Sequence, residues 1–159
     1  MKSMKNSLKA SIATTAVVAL VAVTVLMNTA AAADNRVCSD RTLDGAYGFT
    51  VEGVALPAPG VSLPIRGLAM TQYDGKGHLT QVDHIVFNGN PPAEEWTPGN
   101  GTYHVNADCT GTMRIETSAG DAINLEIVVV KSGKEIRTVV TAPFIGPPRT
   151  VTSLGIRVD

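Results

Sequence analysis

Apolar and polar residues alternate over short stretches through most of the chain after residue 33. Tyr47, Phe49 and Val51 alternate with small or polar neighbours, and this period of two indicates a half-buried β-strand. The stretch from His78 to Asn88 has the same period and one mainly apolar face. That face carries Leu79, Gln81, Asp83, Ile85 and Phe87. Because no ten-residue window after residue 33 has the apolar spacing of an amphipathic helix, the pattern predicts an almost entirely β-stranded domain.

Eight such stretches follow one another, separated by segments rich in Gly, Pro, Asn and Asp. The predicted strands lie near residues 47–51, 65–73, 78–88, 102–105, 112–117, 122–130, 135–141 and 150–158. The proline-containing segments 57–64 and 89–101 are predicted loops, and Asp74-Gly75-Lys76-Gly77 predicts a tight hairpin. Short strands with frequent turns are typical of a barrel or a sandwich. Since most connections are short, we predict an eight-stranded antiparallel up-and-down barrel, which has no exposed edge, with a β-sandwich as the alternative.

The first 33 residues have a different pattern. Lys2, Lys5 and Lys9 precede an apolar stretch over 10–27, and four alanines follow at 30–33. A basic start, an apolar middle and a small-residue cleavage site predict a secretory signal peptide over residues 1–33. Cleavage before Asp34 would leave residues 34–159 as one domain, secreted or periplasmic, with no stable membrane insertion. An uncleaved anchor is the alternative, because the apolar stretch is near the lower length limit for spanning a bilayer.

Charge and cysteine content narrow the class of protein. The chain has 13 basic and 14 acidic residues and 44% hydrophobic residues. Residues 1–33 hold three of the lysines and no acid, so the remaining domain has ten basic against fourteen acidic residues, a net charge of −4. This balance argues against nucleic acid as a partner. Cys38 and Cys109 both lie in this domain, and a cysteine pair in an exported chain predicts one structural disulfide.

Three short motifs carry a resemblance to known proteins. They are Leu43-x-Gly45-x-Tyr47-x-Phe49, Tyr73-Asp74-Gly75-x-Gly77-x-Leu79, and Gly101-Thr102-Tyr103-x-Val105-x-x-Asp108-Cys109-Thr110-Gly111-Thr112. Together they resemble a group of small secreted bacterial β-barrel proteins to which no activity is assigned. The resemblance therefore implies a fold and export, and no chemistry.

A looser similarity is to the calycin barrels, such as lipocalins and avidins. Those proteins have a Gly-x-Trp on the first strand, covered by a basic residue from the last strand. Gly45-Ala46-Tyr47 stands at the corresponding place here, with Tyr for Trp. Arg157 could supply the basic residue, although alternation places it on the face opposite to Ile156 and Val158.

An eight-stranded barrel has an interior that side chains just fill or that holds one small ligand. We therefore expect a small apolar or amphipathic ligand inside the barrel. The candidate ligand-binding residues are Tyr47, Phe49, Tyr73, Asp83, Phe87, Trp96 and Tyr103. Asp83 shares the apolar face of its strand, so it is either a polar anchor for a ligand or part of an internal hydrogen-bond network. Trp96 lies in the longest predicted loop, where it could cover the barrel mouth or cap the core.

Two other functions remain open from the sequence. A barrel with a filled core could act through its loops as an extracellular or envelope interaction module. The second is a cyclase- or isomerase-like enzyme that uses Asp83 and a tyrosine. We assign no catalytic residue from the sequence. We expect no cofactor and no metal, because the histidines 78, 84 and 104 lack the clustered ligands that a metal site needs. The sequence leaves the oligomeric state open.

Overall fold

A computed structural model describes residues 37–118, 120, 122–141 and 148–159. The predicted signal peptide lies outside the described residues, as do residues 119 and 121 of one predicted turn and residues 142–147 of the last predicted connection. Among the described residues, no helix has the length and apolar character needed to cross a membrane.

The described residues form eight β-strands joined into a closed barrel. The strands are β1 (Asp44–Ala58), β2 (Val61–Asp74), β3 (His78–Phe87), β4 (Thr97–Val105), β5 (Thr110–Thr117), β6 (Ala122–Val130), β7 (Glu135–Thr141) and β8 (Arg149–Arg157). Each strand pairs antiparallel with the next, and β8 pairs with β1 to close the sheet. Helical structure in the described residues is limited to two 3-10 turns, Asp40–Thr42 and Lys131–Gly133. The predicted up-and-down barrel is therefore confirmed over the sandwich.

Proline-rich and glycine-rich segments are where the predicted strand bounds are wrong. The predicted loop 57–64 is mostly strand, because only Pro59 and Gly60 separate β1 from β2. Pro64 of β2 lies opposite Val54 of β1, next to an irregularity in the β1–β2 pairing between Ala55 and Ala58. A missing N–H costs little at such a place, so proline is tolerated there. Similarly, β4 begins at Thr97 inside the predicted loop 89–101.

Side chains alternate between the barrel interior and its outer surface as predicted. On β3, Leu79, Gln81 and Asp83 are buried, whereas Thr80 and Val82 are exposed. The same alternation on the other strands supplies a core of aliphatic and aromatic side chains.

One end of the barrel, here called the closed end, is filled by three tyrosines. The ring of Tyr73 lies edge-on between those of Tyr47 and Tyr103, with centroids 5.2 and 5.0 Å away. The Tyr47 hydroxyl donates to the carbonyl oxygen of Gly133, and the Tyr103 hydroxyl donates to that of Leu43 at 2.9 Å. Each of these hydroxyls therefore ties a connecting segment to the barrel.

The segment before β1 lies against this closed end and is held by a disulfide. Cys38 is bonded to Cys109, with 71 residues of sequence separation, and the Val105 N–H donates to the Asp40 carboxylate at 2.7 Å. A crosslink over a loop of this length stabilises the fold by roughly 4 kcal/mol in the chain-entropy account. The predicted disulfide is confirmed, and it is a bond typical of oxidising compartments.

Arg157 completes the closed end from the last strand. Ile156 and Val158 are exposed on the outer surface, and Arg157 lies opposite Tyr47 in the β1–β8 ladder. Burial raises the pKa of the Tyr47 hydroxyl, and the nearby Arg157 guanidinium acts in the opposite direction. The basic residue of the last strand thus meets the aromatic residue of the first.

Close backbone approach explains a glycine in β4. A Cβ atom added at Gly101 would lie 1.9 Å from the carbonyl oxygen of Arg114 on β5. In contrast, a Cβ added at Gly48 on β1 would meet nothing within 4 Å. Both glycines lie within strands, Gly101 on the inward face and Gly48 on the outer face, so the two variants compare a crowded position with an open one.

We predict that Gly101→Ala destabilises the protein by more than about 2 kcal/mol, because the β4 and β5 backbones would have to separate. Gly48→Ala should cause no loss and could add up to about 1 kcal/mol, since alanine restricts the unfolded chain more than glycine does. Urea denaturation of the two variants measures the difference. Equal unfolding midpoints would contradict the close approach of β4 and β5 at Gly101.

Candidate ligand-binding cavity

The half of the barrel away from the tyrosines contains two adjoining chambers. An inner chamber of about 90 Å³ lies in the middle of the barrel, and an outer chamber of about 240 Å³ lies towards the opposite end, here called the rim end. Six residues line both chambers: Val51, Asp83, Ile85, Ile123, Val140 and Val151. Because these residues line both, the two chambers adjoin each other, and together they are called the cavity here. Each chamber is below the 300 Å³ or so at which drug-sized pockets begin, which suits a small molecule.

Aliphatic side chains from strands on all sides of the barrel form most of the wall. Inward positions of β1, β3, β6, β7 and β8 carry Val or Ile at this level. β-Branched residues are favoured in strands because they pack well on a pleated surface. The same residues that stabilise the sheet therefore make the cavity apolar.

A short chain of polar side chains crosses one wall of the inner chamber. The Thr71 hydroxyl donates to the Gln81 carbonyl oxygen at 3.4 Å, and Gln81 Nε2 donates to Asp83 Oδ2 at 2.9 Å. Thr71 and Gln81 are opposite each other in the β2–β3 ladder, so the strand register brings them together. On the far wall, the hydroxyls of Thr138 and Ser153 lie 2.7 Å apart.

Asp83 is the acidic group of this cavity. Its side chain is buried, with 9% of the residue surface exposed. Burial raises the pKa of the carboxyl group, and the hydrogen bond from Gln81 and the charge of the neighbouring His84 oppose this effect. The site therefore holds a carboxyl group that gains little solvation in its charged form.

Arg149 contributes a basic group at the rim end. It is the first residue of β8, lies opposite Ala55 of β1 and lines the outer chamber. Asp83 and Arg149 are the two charged side chains among the described residues that line this chamber. An entering molecule would meet Arg149 nearer the rim and Asp83 deeper inside.

The structure brings three of the predicted site residues to the cavity. Phe49 lines the inner chamber, Phe87 lines the outer chamber, and Asp83 lines both. Trp96 is 46% exposed and packs against His84, with ring centroids 6.0 Å apart, away from the cavity walls. The remaining three candidates are the tyrosines 47, 73 and 103, which fill the closed end.

The placement of the tyrosines bears on the enzyme hypothesis. Their hydroxyls pair with the carbonyl oxygen of Gly133, the sulfur of Met113 and the carbonyl oxygen of Leu43. The Asp83 carboxylate instead pairs with Gln81. A reaction that needs a tyrosine hydroxyl beside Asp83 therefore has no such pair among the described residues of this cavity.

Several lining residues escape prediction from the sequence. Thr138 and Ser153 meet because β7 and β8 pair, and Arg149 reaches the interior because β8 closes onto β1. Local alternation gives the face on which a residue lies but not its partner on another strand. Only a register for all eight strands would have revealed these groups.

The outer surface carries an exposed apolar row across five strands. Cross-strand pairing aligns Ile156, Gly48, Met70, Val82 and Pro98 in this order. Ile156 is 57% and Met70 44% exposed. Exposed apolar patches can mark protein contacts, so this row is a candidate contact surface.

Comparisons with known proteins give a likeness of fold. No protein-family model matches the chain, and no curated protein matches it. A solved structure described as a de novo designed fluorescence-activating β-barrel has 13% sequence identity and a TM-score of 0.48, with 75% of this chain and 96% of that chain covered. The Mycobacterium tuberculosis protein Rv2717c has 14% identity and a TM-score of 0.37, over 74% of this chain and 94% of its own. At these levels neither neighbour informs the function, and the class that the structure defines is a small up-and-down β-barrel with an internal cavity.

We predict that Asp83→Asn gains stability relative to the parent protein as the pH rises. The folded-state pKa of Asp83 is raised, so between the unfolded-state pKa, about 3.9, and the folded-state pKa the folded parent binds more protons than the unfolded chain. The parent's unfolding free energy therefore falls as the pH rises through this window, and the uncharged amide of the Asp83→Asn variant has no such dependence. Urea denaturation at about pH 3 and pH 7 measures the change in the difference.

Glu116→Gln is the control, because it removes an acid from the outer surface of β5. If the free energies of unfolding of Asp83→Asn and the parent differ by the same amount at both pH values, the carboxyl group of Asp83 is not poorly solvated in the folded protein.

Proposed function

We propose that this protein is an exported β-barrel that binds one small apolar or amphipathic molecule in its interior. The observation that carries the proposal is the pair of adjoining chambers inside the barrel, whose walls are mostly apolar with a smaller set of polar groups. Binding sites for small molecules commonly combine apolar walls with a small number of polar groups that fix orientation.

The energetics of the cavity favour an occupant. Moving apolar surface out of water contributes about 25 cal/mol per Å², and the aliphatic walls supply contacts on all sides of a bound molecule. An unfilled cavity forfeits the dispersion contacts of its lining atoms. The inner chamber also has polar groups on two walls, at Asp83 and at the Thr138–Ser153 pair, which can orient a ligand.

Export is supported by two independent features. Residues 1–33 have the basic, apolar and small-residue regions of a signal peptide, and the Cys38–Cys109 disulfide suits an oxidising compartment. We expect the protein recovered from its producing cells to begin at Asp34 or within a residue of it. Amino-terminal sequencing measures this, and a chain that begins at Met1 would contradict cleavage.

We predict that Val140→Phe blocks ligand binding and that Val139→Phe does not. Val140 lines both chambers, so the larger ring would occupy the cavity, whereas the adjacent Val139 is exposed on the outer surface. Titration with n-hexanol, followed through methyl NMR signals of Ile85, Ile123 and Val151, should saturate for the parent and for Val139→Phe. Val140→Phe should bind at least about tenfold more weakly, a change of about 1.4 kcal/mol.

The same titration separates this proposal from its alternative, an interaction module. The sequence places the contacts of such a module in the loops, and the structure adds the outer face of the strands as a second place for them. The exposed row of Ile156, Met70 and Val82 is the observation that favours the alternative. If the parent gives no saturable shifts with small apolar probes, the cavity proposal is wrong and the outer surface becomes the place to seek function.

A further inference from the structure

The polar groups of the cavity differ in how much of their hydrogen-bonding capacity is used within the protein. Thr71 donates to Gln81, Gln81 donates to Asp83, and the hydroxyls of Thr138 and Ser153 bond to each other. Among the described residues, Gln81 is the only hydrogen-bond partner of the Asp83 carboxylate, through Oδ2. An ionised carboxylate can accept about four hydrogen bonds. The main remaining capacity on the inner wall is therefore for accepting hydrogen bonds.

Asp83 is placed so that a ligand can use this capacity. It lines both chambers, and its partners in the neighbouring strands are Ala69 and Thr97. The small Ala69 side chain also lines the inner chamber and leaves space beside the carboxylate. A polar atom that enters the inner chamber therefore reaches Asp83 while the rest of its molecule stays in the outer chamber.

The Asp83 carboxylate is a buried group with one neutral hydrogen-bond partner, Gln81. Holding a carboxylate away from water is costly unless an opposite charge or several hydrogen bonds compensate. A ligand ammonium supplies both, because it carries a positive charge and three N–H donors. A hydroxyl supplies one donor without charge, and a second carboxylate would repel Asp83.

We propose that the cavity selects apolar molecules that end in an amine, with the ammonium group bound to Asp83 and the apolar part in the outer chamber. This inference rests on the proposed function. The ligand class is an alkylamine or arylalkylamine small enough for the two chambers. Arg149 then lies near the far end of the ligand, towards the rim, where its charge is separated from the ammonium by the apolar part.

The test compares three probes of nearly equal size, n-hexylamine, n-hexanol and n-hexanoate, by isothermal titration of the purified disulfide-bonded protein at pH 7. We expect n-hexylamine to bind at least about tenfold more tightly than either of the others, as a hydrogen bond between charged groups would give. In Asp83→Asn, which keeps the shape of the side chain, the preference for n-hexylamine over n-hexanol should fall to about threefold or less. Glu116→Gln, with the same loss of charge outside the barrel, should keep the full preference.

If a variant fails to fold, the comparison of the three probes on the parent protein still tests the preference for the amine. If n-hexanol or n-hexanoate binds the parent as tightly as n-hexylamine does, the amine proposal is wrong, although binding inside the cavity stands when Val140→Phe blocks it. An amine preference that survives in Asp83→Asn also overturns the assignment to Asp83. If none of the three probes binds the parent, both the amine proposal and the proposed function fail.

Discussion

The pairing of the first strand with the last is the constraint on which both ends of this barrel depend. The β1–β8 ladder begins with Tyr47 opposite Arg157 and ends with Ala55 opposite Arg149. One end of the ladder therefore assembles the tyrosine-filled closed end, and the other brings a cation to the outer chamber. Closure also satisfies the backbone groups of two strands that would otherwise be exposed edges. Without it, the inward faces would not enclose a cavity.

The interior is divided by the size and shape of its side chains. Three tyrosines at one level fill the barrel and use their hydroxyls to hold the connecting segments. At the next levels many of the inward positions carry Val, Ile, Ala, Thr and Ser, which are too small to meet across an eight-stranded barrel, and the larger residues there do not fill it. The cavity thus begins where the three tyrosines stop. Asp83 lies beyond that point, at the end of the polar chain that begins at Thr71.

Much of the fold could be predicted from the sequence, because alternation is a local property. The bounds of β6 and β7 agree with the predicted strands, since both are continuous stretches between clear turn signals. The bounds of β1, β2 and β4 are harder to predict because proline and glycine indicate turns in most sequences. Here Pro64 and Gly101 are inside strands for reasons that involve their neighbours on other strands.

The candidate site could be predicted only in part. Alternation assigns Phe49, Asp83 and the tyrosines to the inward face equally, but it does not give their height along the barrel axis. That height depends on the register of all eight strand pairs. For this reason the sequence could not separate the residues of the closed end from those of the cavity, and it could not pair Thr138 with Ser153.

The filled closed end has a kinetic consequence. A molecule in the inner chamber has the tyrosine rings on one side, so the closed end offers it no way out. The contacts that determine how tightly it is held are therefore in part separate from the barrier that it crosses on departure. Residence time and affinity can then change independently, the first through the rim and the second through the chamber walls. A barrel with such a dead end can retain a weakly bound molecule for longer than its equilibrium constant alone would indicate.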